Sequence, residues 1–102
     1  MNLKEVELKL FDWAQERDLL SPERIDRQFM KIAEELGELA EAIGKDRRED
    51  IQLEIGDVFV TIALLAFQNG LSLEDCAVAA FRKIEHRKGK LINGTFVKEE
   101  DL

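Results

Sequence analysis

Apolar residues recur every three or four positions through most of the chain, the period of a helix with one buried face. Leu3, Val6, Leu10, Trp13 and Ala14 form the first stripe and predict a helix from about Leu3 to Asp18. Ile25, Phe29, Ile32, Leu36, Leu39 and Ile43 form the second; Ser21 as N-cap and Pro22 at the first helical position open it, and Gly44 ends it. Asp46 followed by Glu49 reads as the cap of a third helix that Asn69-Gly70 closes. Ser72 caps a fourth, with Leu73, Ala77, Ala80, Phe81 and Ile84 as its core side and Gly89 as its stop.

After Gly89 the period changes. In KLINGTFVKEEDL, Asn93-Gly94 lies between Leu91-Ile92 and Thr95-Phe96-Val97, a two-residue hairpin signal, although an isolated hairpin is weak in water and an unstructured tail fits as well. The expected fold is all-α, a four-helix bundle-like domain over residues 1–90 with a hairpin or tail over 91–102. At 102 residues the chain makes one domain, small enough that part of its apolar surface needs a partner subunit.

Composition narrows the function classes. Hydrophobic residues at 45% and charged residues at 36% describe a folded helical protein. A net charge of -7 argues against nucleic acid as a partner, because phosphate backbones are held by clustered Lys and Arg. One cysteine, Cys76, cannot form an internal disulfide, and MNLKEVELKL lacks the apolar core of a signal peptide, so a cytoplasmic setting is expected. The run from Ile51 to Phe67 is too short and too acidic for a membrane span.

That run holds the most informative residues. Glu54 and Asp57 lie about 60° apart on the third helix with apolar neighbours in nearly all directions, and a buried carboxylate is costly unless something pairs with it. Its only basic residues, Arg47 and Arg48, stand near its start. The second helix carries Glu34, Glu35 and Glu38 within about one turn beside its apolar seam, with Glu41 following. Taken alone, those glutamates read as a solvated face. Two acidic clusters on facing helices would instead hold a hard cation, Mg²⁺ or Mn²⁺, and such ions favour phosphate chemistry. A di-iron bundle would call for Glu-x-x-His; the one histidine, His86, has Lys83 three residues before it, so that motif is absent.

Glu34-Glu35-x-x-Glu38 and, fifteen residues on, Glu54-x-x-Asp57 resemble the signature of MazG-like all-α nucleoside triphosphate pyrophosphohydrolases. EELGELAEAI and EIGDVFV carry the similarity, and the helix layout extends it over residues 3 to 90. The resemblance implies Mg²⁺-dependent cleavage of an NTP or dNTP between its α and β phosphates, in a homodimer or homotetramer. It implies Glu35, Glu38, Glu54 and Asp57 as metal ligands, with Glu34 supporting the site or orienting the attacking water.

The reaction needs a general base at the edge of the metal site, for which Glu38 and Glu34 are the candidates. It also needs cations for the triphosphate. Lys83 and Arg87, four apart on the fourth helix, Lys90 beyond them, and Lys31 one turn before Glu35 are the candidates, although each alone reads as a surface charge. Gln28, Phe29 and Trp13 are candidate base contacts, the two aromatics having packing explanations as well. The competing readings are a non-enzymatic helical interaction module with a structural ion, and an enzyme acting on phosphoribosyl-ATP.

Overall fold

The computed structural model describes all 102 residues. It contains four helices, α1 (Leu3–Glu16), α2 (Ile25–Gly44), α3 (Arg48–Gln68) and α4 (Leu73–Ile84), followed by an antiparallel hairpin of β1 (Gly89–Ile92) and β2 (Thr95–Lys98). No helix is long and apolar enough to cross a membrane.

Local chemistry explains where the helices begin and end. Asn2 accepts from the Glu5 amide and Ser72 from the Asp75 amide, so both cap their helices through the side chain. Ser21 also caps, but it opens a 3₁₀ turn, Pro22–Arg24, that leads into α2 three residues later than the sequence predicts. After α3 the Leu71 amide bonds Ala66 O and the Gly70 amide bonds Phe67 O, with Gly70 at φ +71, a left-handed C-terminal cap.

The same pattern ends α1 around Asp18 and α2 around Asp46, both at positive φ. This corrects the expected role of Asp46. Committed to the left-handed closure of α2, it cannot adopt the extended backbone of an N-cap, and α3 starts from Arg47 without a side-chain cap. Helix α4 likewise stops at Ile84, short of Gly89, which begins β1 instead. Asn93 and Gly94, at φ +52 and +80, make the two-residue turn that pairs Ile92 with Thr95.

Helices α2 and α3 form the central pair. Gln28 meets Thr61 and Glu35 meets Glu54, so the two run antiparallel. Helices α1 and α4 lie against α3, with Phe11 of α1 edge-on to Phe67 at 5.1 Å. The buried apolar residues are Ala14, Ile32, Ala42, Ala63, Leu64 and Ala66, mostly alanine, which lets the backbones approach but makes a thin core.

The isolated chain is open. Its radius of gyration is 16.6 Å, against about 13 Å for a compact domain of this length. It exposes 7953 Å², where a compact monomer of this mass exposes roughly 5,900 Å². The expected core side of α4 is uncovered: α4 buries no residue, and Ala77, Ala80, Phe81 and Ile84 all face solvent. On α2 the outer stripe Phe29, Ala33, Leu36, Ala40 and Ile43 is likewise bare. Trp13, placed in the first seam by its spacing, is 46% exposed, while its neighbour Ala14 is the residue of that turn that is fully buried.

Candidate metal centre

Three helical turns of α2 and α3 build the acidic site. Glu35 points inward from α2 because it lies on the same side of that helix as Gln28 and Ala42, the side that meets α3. Its side chain is buried, with 7% of the residue exposed. Glu38, one turn on, stands at the exposed edge, and Glu54 projects half-buried from α3. Ligand oxygens of these three residues lie within 4.8 Å of one another.

The register is locked two turns away. Gln28 Nε2 donates to Thr61 O at 2.8 Å, while Thr61 Oγ1 donates to Asp57 O at 2.9 Å and Val58 O at 3.0 Å. Removing α2 from α3 would therefore break a part-buried side-chain bond as well as separate the carboxylates.

Two buried oxygens of the cluster, Glu35 Oε2 and Glu54 Oε2, have no hydrogen-bond partner. Buried acceptors are ordinarily satisfied, and an orphaned one costs about 1–3 kcal/mol, more when charged. Burial pushes the Glu54 carboxyl above the usual glutamate range, and the negative charges of Glu38, Asp57 and Glu35 add to the shift. Hard oxygen donors packed together, orphaned and mutually repelling are the donor set that a divalent cation satisfies, so the residues present fit the Mg²⁺ or Mn²⁺ expected from the sequence.

Around this nest the remaining candidates separate. Asp57 lies one turn beyond Glu54, exposed, near enough to raise the Glu54 carboxyl but outside the trio that converges within 4.8 Å. Glu34 is exposed and paired with Lys31 at 3.5 Å. Lys31 also reaches Glu35 at 3.5 Å, and its ammonium is held above the usual lysine range by the bond to Glu35 and then by the charge of Glu34. Glu41 turns away from the nest to Lys45 and Arg47, at 2.8 and 3.6 Å, and the Lys45 bond holds its carboxyl below the usual range.

Lys83, Arg87 and Lys90 are exposed on α4, the turn after it and β1, without an ion pair to any carboxylate. Gln28 spends its amide N–H on the α3 backbone. Phe29 is exposed on the bare stripe of α2, and Trp13 lies under the Arg17 guanidinium, 4.4 Å from its ring centroid.

Besides Thr61, two buried polar residues carry no mark in the sequence analysis. Glu7 accepts from the Glu74 amide at 3.1 Å and so ties α1 to the first turn of α4, while Gln68 Nε2 donates to Leu19 O at 2.9 Å. The signal for Glu7 was present: with Leu3, Leu10 and Ala14 it falls at spacings of four, three and four, on the apolar face. A charge on that face marks a tertiary contact.

The chain matches the family model described as the MazG nucleotide pyrophosphohydrolase domain over residues 26–92. It is 35% identical over 68 residues to an uncharacterized 18.2 kDa protein in the rep-hol intergenic region of Haemophilus phage HP1 (strain HP1c1). That alignment takes in 67% of this chain and 42% of the phage protein, so the chain spans less than half of its relative. No solved structure matches. The matched span includes both acidic segments, the paired helices that carry them, and α4, and with more than half of its length so matched the chain belongs to the MazG nucleotide pyrophosphohydrolase domain family.

Proposed function

We propose that the chain hydrolyses a nucleoside triphosphate, ribo or deoxy, between the α and β phosphates, giving a monophosphate and pyrophosphate with Mg²⁺. The observation that carries this reading is the pair of orphaned buried oxygens in the Glu35, Glu38 and Glu54 cluster, within a chain of this family. Those three residues would hold the ion, with Asp57 joining them from the next turn of α3. Bound there, a divalent cation would supply charge neutralisation on the phosphate oxygens and would lower the pKa of a bound water.

The side chains do the rest. Glu38, exposed at the edge of the nest, and Glu34 beside it are the carboxylates able to take the proton of an attacking water. Lys31, paired with Glu34 and Glu35, is the first candidate phosphate contact, and Lys83, Arg87 and Lys90 extend the cationic set from α4 and beyond. Gln28, Phe29 and Trp13 remain the candidate base contacts.

The working unit is a homodimer or homotetramer. Roughly 2,000 Å² of surface beyond that of a compact monomer, with bare apolar stripes on α2 and α4, supports self-association, since a stable interface takes about 800 Å² from each partner.

The test is a panel of common and modified NTPs and dNTPs with Mg²⁺, with products separated. Monophosphate and pyrophosphate are expected from at least one of them, with turnover lost in Glu54→Gln and Asp57→Asn. Orthophosphate as the product, or undiminished turnover in both variants, refutes the reading.

A further inference from the structure

The acidic nest already has one cation of its own. Glu35, Glu38 and Glu54 set three carboxylates in one place with Glu34 beside them, and Lys31 is the only basic side chain paired with any of the four, at 3.5 Å from both Glu34 Oε2 and Glu35 Oε1. Both distances are long for charge-assisted bonds, which close to about 2.7–2.9 Å when well formed. Half of the Lys31 side chain is exposed and its four-carbon stem is flexible, so the ammonium rests at the rim and can swing outward.

A divalent cation that takes Glu35 as a ligand, at about 2.0–2.1 Å, competes with the ammonium that stands 3.5 Å from the same carboxylate. It brings twice the charge and repels the lysine that stood beside it. Once displaced, Lys31 points to the solvent side of the nest, where an anion drawn to the ion must enter. We propose that Lys31 is an exchangeable counter-ion: it neutralises Glu34 and Glu35 in the ion-free protein, yields Glu35 to the divalent cation, and then contacts the incoming polyphosphate. This rests on the nucleotide reading only for its last step. The exchange makes the order of binding cation first, nucleotide second.

Opposite effects on two affinities follow. Lys31→Met removes a competitor of the metal and a ligand of the phosphate, so Mn²⁺ binding tightens while triphosphate binding weakens, each by at least about fivefold, the effect of a single pair of unit charges about 4 Å apart at water-like screening. A merely structural lysine would weaken both together.

The experiment measures free Mn²⁺ by electron paramagnetic resonance without nucleotide, then titrates a nonhydrolysable α,β-methylene triphosphate by calorimetry at saturating Mn²⁺. Lys45→Met, which removes the same charge from a pair with Glu41 outside the nest, is the control and leaves both affinities unchanged. Unchanged or weaker Mn²⁺ binding in Lys31→Met overturns the exchange, as does an equal gain in Lys45→Met. If Lys31→Met tightens Mn²⁺ while the wild type binds no triphosphate, the exchange stands and the nucleotide reading falls. If the wild type turns over nucleotide and Lys31→Met leaves Mn²⁺ affinity unmoved, the reading stands and the exchange falls.

Discussion

Glu35→Gln should make the ion-free protein more stable and the Mg²⁺-saturated protein less stable than the wild type. Glu35 is 7% exposed, and its Oε2 is orphaned. Glutamine keeps the shape and removes the charge, relieving the part of the burial penalty that belongs to an ionised acceptor. An orphaned buried group costs about 1–3 kcal/mol when neutral and more when charged, so a gain of about 1 kcal/mol is expected. For a domain of this size that raises the melting temperature by about 4–8 °C. The lost pair with Lys31 is long, at 3.5 Å, and half-exposed at its lysine end, so it offsets little of this.

With Mg²⁺ the order reverses. At a hundred times its dissociation constant a ligand stabilises the folded state by about 2.7 kcal/mol, and the wild type collects that gain while the variant does not. The assay is a thermal melt at one fixed protein concentration, in EDTA and across a Mg²⁺ series, with circular dichroism at 222 nm. Crossing curves are the expected result. A variant that melts lower than the wild type in EDTA, or that gains as much from Mg²⁺, refutes the view that Glu35 is held under strain for the ion.

Glu54 has its folded-state pKa raised above the usual 4.5, so the stability it contributes to the ion-free protein is fully present below that value and is lost as pH rises through the raised value. The difference in stability between wild type and Glu54→Gln, measured by urea melts in EDTA, should therefore fall as pH rises from 4.5; a flat or rising difference contradicts the shift. Leu36→Asp and Phe81→Asp place charges on the two bare stripes and should convert an oligomer to monomer in sedimentation velocity, whereas a wild type that is already monomeric at tens of micromolar refutes the proposed assembly. Gly89→Ala would drive a Cβ into the Val97 carbonyl and the Phe96 ring, so the amides of β1 and β2 should lose exchange protection while the helical melt stays in place. Unchanged protection in the hairpin counts against that packing.

Helix number, order and approximate length were legible because caps and apolar period act locally. Ser72 and Gly70 announce helix ends by their own backbone and side-chain preferences, and Asn93-Gly94 announces its turn in the same way. Asp46 misled for a related reason: it suits both an N-cap and a left-handed C-terminal residue, and the end of α2 claimed it first. Trp13 and the α4 face misled differently. Their spacing marks them as apolar sides, but period alone does not say whether the covering surface belongs to the same chain.

The acidic signature was legible too, since Glu54 in an apolar run is anomalous before any contact is known. What the residues determined by themselves was the set of helices and the presence of carboxylates that require a counter-charge. Only the tertiary arrangement decided which of them meet: antiparallel pairing through Gln28 and Thr61 brings Glu35, Glu38 and Glu54 together, leaves Asp57 and Glu34 at the margin, and gives Lys31 rather than Lys83 or Arg87 to the nest. The physical reason is range. Propensity and period act over one or two turns, whereas a charge cluster across two helices depends on the register that side-chain bonds and packing select between segments about twenty residues apart.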